Sequence, residues 1–83
     1  MQTPDTQPGA YFVTARSDDG ATFWPMLGPF VNDHAAALAM VDKARDKATE
    51  IDPRAWWMAW GTTRLDADHP AAAKPGRLNP LFP

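Results

Sequence analysis

The order of apolar and polar positions divides the chain into four structured stretches. Tyr11-Phe12-Val13-Thr14-Ala15-Arg16 groups aromatic and β-branched residues and predicts a strand. Ser17-Asp18-Asp19-Gly20 follows as a turn, the aspartates initiating it and Gly20 supplying the positive φ that closes a hairpin. A second strand is expected from Ala21 to Leu27. Pro25 has no N–H to give to a ladder, so this strand lies at a sheet edge or carries a bulge. Gly28-Pro29 should then turn the chain out of the sheet. Asn32 or Asp33 can cap a helix that runs to about Glu50. Ala37, Leu38, Val41, Ala44, Ala48 and Ile51 recur at spacings of three and four and form its apolar face. Asp42, Lys43, Arg45, Asp46, Lys47 and Glu50 cover the rest.

The fourth stretch, Asp52 to Arg64, holds three of the four tryptophans and predicts a third strand. Pro53 biases Asp52 away from helix, and Gly61-Thr62-Thr63 closes the run. Alternation along a strand would put Trp56, Met58 and Trp60 on one side and Ala55, Trp57, Ala59 and Gly61 on the other. The resulting fold class is α+β. It is a single small β-β-α-β domain with a three-stranded antiparallel sheet in the order 2-1-3 and one helix on one face. A right-handed crossover brings the third strand beside the first. One helix on three strands leaves the other sheet face uncovered. Residues 1–9 are read as a flexible arm, 10–65 as the domain, and 66–83 as a proline-rich tail. Ala71-Ala72-Ala73-Lys74 has the composition of a single helical turn, and Leu78, Leu81 and Phe82 are available to dock.

Composition narrows the chemistry. The chain has 83 residues, enough for one modest core, and a hydrophobic content of 45% supports a folded centre. A net charge of -2 lacks the basic footprint of a typical DNA-binding domain. No cysteine is present, which removes disulfides, thiol nucleophiles and cysteine-based zinc sites. The N-terminal residues lack a signal-peptide pattern and no apolar run is long enough to span a bilayer, so a cytoplasmic protein without a membrane role is expected.

The residues that could carry chemistry do not form a catalytic set. His34 at the helix start and His69 before Pro70 belong to no ligand-spaced cluster, and His34 reads as a solvated neighbour of the cap. Ser17, the only serine, is explained by its turn. Asp18 and Asp19 lack the burial that would tune a pKa. No glycine pattern cradles a phosphate. The expectation is therefore no enzyme, no metal, no cofactor and no small-molecule substrate. The aromatic cluster remains: four tryptophans cannot all occupy one covered face. Exposed Trp beside Arg is a typical composition for protein-binding hot spots. Trp24, Trp56 and Trp60, framed by Arg16, Arg54 and Arg64, are the candidate partner-binding residues, with Asp18 and Asp19 as acidic contacts. The same ingredients can stack single-stranded nucleic acid on an open sheet face, although the acidic balance argues against direct binding. Packing of that face on a second copy would make the protein a structural or dimerisation module, so the expected state is a monomer or a homodimer.

Tyr11-Phe12-Val13-Thr14, Leu27-Gly28-Pro29-Phe30, the alanine-rich helix, Asp52-Pro53-Arg54-Ala55 and Gly61-Thr62-Thr63-Arg64 together resemble small proteins of phages and integrated elements in GC-rich proteobacteria. Gly76-Arg77-Leu78-Asn79 fits the same outline. The resemblance spans roughly residues 10–79, and its motifs mark a structural frame rather than chemistry. It implies, by analogy, a stoichiometric inhibitor of a host defence complex acting in the host cytoplasm. Anti-CRISPR proteins against type I effectors, which block action on DNA, are the leading class. The implied partner is a host protein or nucleoprotein complex. The alternative is a nucleic-acid-binding accessory protein.

Overall fold

The structure, a computed structural model, describes residues 4–66, 68–70, 72 and 74–82. Its centre is β1 (Ala10–Arg16), whose residues from Ala10 to Ala15 are all buried. A run of apolar residues on both sides of a strand suits an interior position, where both faces are covered. β2 (Phe23–Val31) and β3 (Ala59–Leu65) flank it, each antiparallel to β1, giving the order β2-β1-β3. The α+β class, the sheet order and the antiparallel pairing therefore agree with the expectation from sequence. No helix among the described residues is long and apolar enough to cross a membrane.

The hairpin between β1 and β2 closes as its residues predict. Gly20 has φ +72°, its N–H donates to the Ser17 carbonyl, and the Asp19 carboxylate accepts from Ser17 Oγ and the Ala21 N–H. β2 differs from the reading: it starts at Phe23 and continues through Gly28-Pro29 to Val31. Two register shifts against β1 absorb the irregular residues, one beside Pro25 and one at the cis Gly28-Pro29 bond. A bulge accommodates residues that cannot join the ladder, so these prolines distort an edge strand without ending it.

Asp33 is the helix N-cap, and its side chain accepts from the Ala36 N–H at 3.0 Å. The helix has two segments, α1 (His34–Ala39) and α2 (Val41–Ile51), separated by Met40. Ala37, Ala44 and Ala48 are buried, as the periodicity predicts, and their small side chains let the helix lie close to the sheet. Ile51, the last residue of α2, is the exception on this face, 64% exposed.

The largest correction concerns Asp52 to Arg64. This is not one strand: Pro53–Trp57 forms a 3-10 turn, and β3 begins only at Ala59. Asp52 caps that turn, its carboxylate accepting from the Arg54 N–H and its carbonyl from the Ala55 N–H. Proline has a fixed φ and no N–H, which suits the first position of a helical turn. Asp52-Pro53 therefore both stops α2 and starts a new turn. Trp56 and Trp57 consequently do not alternate about a strand.

Strand register assigns the faces. Tyr11, Val13 and Ala15 lie opposite Arg64, Thr62 and Trp60 on the side that carries the helix. There Val13, Leu27, Ala44, Ala48, Ala55 and Leu78 form the main core. The other face is expected to be uncovered, and it is covered only at one end: Phe23 and Ala59 at the other end stay exposed, and nothing lies within 4 Å of where a Gly61 Cβ would be. Phe12 on that face is 0% exposed and clusters with Ala10, Leu65 and Ala72. The chain after β3 folds back beneath the sheet because Phe12 needs cover that no helix supplies.

The same segment then docks on the outer edge of β2. The N–H groups of Gly76, Arg77 and Leu78 donate to the carbonyls of Gly28, Pro25 and Met26. The Asn79 side-chain amide accepts from the Gly28 N–H at 3.0 Å and donates to the Gly28 carbonyl. Leu78 is buried and Phe82 packs against the main core, while Leu81 stays exposed. The helical turn read over Ala71–Lys74 includes positions outside the described residues. At the other terminus, Gly9 and Asn32 exchange hydrogen bonds, and the Tyr11 hydroxyl donates to the Gln7 carbonyl.

Candidate partner-binding site

A cleft of about 800 Å³ lies where the end of α2, the 3-10 turn, the β1–β2 hairpin and the docked tail meet. Ala48, Ala55 and Leu78, all buried, form its base, with half-buried Trp24, Met26 and Met58 beside them. Ile51 and Trp57 stand at its mouth. Trp57 is the most solvent-exposed large apolar side chain among the described residues, at 76%. Capping at Asp52 puts Trp57 there: the 3-10 turn directs its ring outward, whereas a strand would have laid it on the sheet.

Four charged residues ring this apolar surface: Asp18, Asp52, Arg54 and Arg77. Asp52 and Arg54 form a bidentate pair, with Arg54 Nη2 2.8 Å from Oδ2 and Nε 3.1 Å from Oδ1. The Arg54 guanidinium, helped by its backbone N–H, holds the Asp52 carboxyl below its ordinary value. Asp52 in turn raises Arg54. Among the described residues Asp18 and the Arg77 guanidinium make no hydrogen bond or ion pair. They are available to an incoming group.

The sequence-predicted residues do not all gather here. Trp24, Arg54 and Asp18 line the cleft. Trp60 sits partly buried against the core and donates from Nε1 to the Ala55 carbonyl at 2.8 Å, which ties β3 to the 3-10 turn. Trp56, 53% exposed, has the Arg45 guanidinium 4.9 Å above its ring. Arg16 lies over Phe23 on the opposite sheet face, 5.7 Å from the ring centre. Arg64 is at the far end of β3, reaching the Pro8 carbonyl and Asp66. Asp19 is occupied within the hairpin turn, where the Ser17 hydroxyl and then the Ala21 N–H lower its pKa. The cleft also includes Trp57, Ile51, Met26, Met58 and Arg77, which the sequence reading did not select. The Asp-Pro cap signal, given weight as a turn start, would have moved Trp57 outward.

His34 is buried rather than solvated, a second correction. Its ring stacks on Tyr11 at 4.7 Å, and Nδ1 accepts from the Asp5 N–H at 2.6 Å. A backbone N–H can only donate, so Nδ1 carries no proton, and Nε2–H donates to Thr62 Oγ1 at 2.8 Å. Burial, with the Asp5 carboxylate nearby, pushes the Tyr11 phenol above its ordinary pKa, while Arg64 opposes that shift. Every polar atom of the imidazole is thus satisfied, and the cluster reads as structural. Among the described residues no three His, Asp or Glu side chains converge as metal ligands do. Comparison with known protein families, curated proteins and solved structures gives no match.

Proposed function

We propose that the protein is a stoichiometric binding protein that acts by covering a surface of a protein partner. The exposed Trp57 at the mouth of the cleft, beside Ile51 and Arg54, is the observation that carries this reading. A large aromatic ring left in water beside a preformed apolar cleft gains by desolvation against a partner, and Trp and Arg dominate such hot spots. The cleft residues supply shape and apolar area rather than an acid, base or nucleophile held in register. The resemblance to small proteins of phages and integrated elements supplies the partner class: a host defence complex, with a type I CRISPR effector as the first to test. Acidic Asp18 at the cleft, with Asp42, Asp46 and Glu50 along α2, would speed encounter with a basic nucleic-acid channel.

The test is to titrate purified protein into a type I effector and follow binding of target DNA. The parent chain should block binding near equimolar ratio. Trp57→Ala should weaken it by at least ~2 kcal/mol, about 30-fold, with stability unchanged. An effector that retains DNA binding at saturating protein, or equal inhibition by Trp57→Ala, would sink the proposal. Binding to bare nucleic acid with a steep salt dependence would favour the accessory-protein alternative.

A further inference from the structure

The two edges of the sheet are treated differently. The outer edge of β2 is protected by Pro25 and Pro29, by two register shifts, and by the docked segment Gly76–Asn79. The outer edge of β3 has none of these. Its pairing with β1 runs without a register shift from Ala59 to Leu65, and no proline interrupts it. Among the described residues, no hydrogen bond from outside the sheet reaches its backbone. Alternate N–H and C=O groups along these seven residues therefore face outward unpaired. Natural edges of this length are usually blocked by lysine, proline, a bulge or a covering segment. The only charge here is Arg64, which is drawn back to Pro8 and Asp66.

We propose that β3 is a homodimer interface, on which β3 of a second copy adds antiparallel and joins two three-stranded sheets into one. Side-chain complementarity selects a second copy as the occupant. Full antiparallel overlap of Ala59–Leu65 with itself places the two-fold axis at Thr62. Trp60 then lies opposite Arg64 of the other copy, Gly61 opposite Thr63, and Ala59 opposite Leu65. No like charges meet. Arg64, held only by contacts of 3.3 Å to the Pro8 carbonyl and 3.5 Å to Asp66, can turn from them to the indole opposite it, a favourable cross-strand cation–π pairing. Gly61 leaves room for the facing threonine, since nothing lies within 4 Å of where its Cβ would be. This inference uses none of the cleft side chains and stands apart from the proposed function.

Sedimentation equilibrium of the full chain from micromolar to millimolar concentration tests it. The expected species is twice the chain mass of 9.1 kDa. The chain has no cysteine, so single-cysteine variants report the register directly. Self-crosslinking should be several-fold greater for Thr62→Cys than for Gly61→Cys or Thr63→Cys, because only residue 62 faces itself. Hydrogen exchange of the unmodified chain covers the case in which a variant misfolds: amides of β3 should gain protection as concentration rises. A monomer throughout, with β3 amides unprotected, overturns the proposal. So does a dimer whose crosslinking peaks elsewhere, or β3 protection that appears only on adding a different protein.

Discussion

Gly76→Ala isolates the contribution of the docked tail. An added Cβ at residue 76 would lie 2.5 Å from the Leu27 nitrogen and 2.6 Å from its Cα. Both are backbone atoms of a paired strand and cannot move aside cheaply. The tail is thus expected to leave the β2 edge. Its three backbone hydrogen bonds and the two made by Asn79 go with it, at about 1 kcal/mol each. Exposure of Leu78, now 4% accessible, costs a further ~2 kcal/mol. Freedom regained by the four residues from Gly76 to Asn79 returns about 1–1.5 kcal/mol each. The net loss is about 2 kcal/mol, a large share of what a domain of this size holds. Urea unfolding followed by tryptophan fluorescence measures it. Trp24 and Trp57 line the cleft together with Arg77 and Leu78, so the native emission should also shift toward the exposed value. Gly61→Ala is the control, since a Cβ there meets nothing within 4 Å and should change stability by less than ~0.5 kcal/mol. If Gly76→Ala also stays within ~0.5 kcal/mol of the parent, the tail does not depend on this close approach.

Two further outcomes follow from the same contacts. Trp60→Phe keeps most of the ring but removes the donor to the Ala55 carbonyl, and should cost about 1–2 kcal/mol in urea unfolding; no change would mean the bond does not hold the 3-10 turn to β3. Asp52 and Asp19 both have folded pKa values below their ordinary 3.8, so their contribution is present above that pH and is lost as pH falls through the lower folded values. Acid unfolding should therefore begin below about pH 4, and Asp52→Asn, which keeps a capping oxygen, should flatten that dependence; an unchanged acid transition would remove Asp52 from the account.

Much of the architecture was legible because it rests on local rules. Aromatic and β-branched residues along Tyr11–Arg16, the Asp-Asp-Gly turn, the Asp33 cap and the alanine spacing of the helix each act over a few residues, and each appears where the pattern puts it. The candidate site was less legible. Trp24, Arg54 and Asp18 reach the cleft as chosen, but Arg16, Arg64 and Trp56 point elsewhere. Asp52-Pro53 predicts a helix stop and is also a start, and that one turn decides where two indoles go.

By itself the chain of residues determines β1, the hairpin turn, the helix cap and the order of strands and helix, because hydrophobic period, capping and turn geometry are properties of neighbours in sequence. Only the tertiary structure decides the rest. The proline-rich tail looks unstructured alone, yet Phe12 and the β2 edge lie far away in sequence and give it a surface to cover. Gly28 and Gly76 look like loop glycines until the backbones and the Phe12 ring that crowd them are in place. The cleft exists only where four segments meet. Its residues carry no shared period, so no local pattern could announce it.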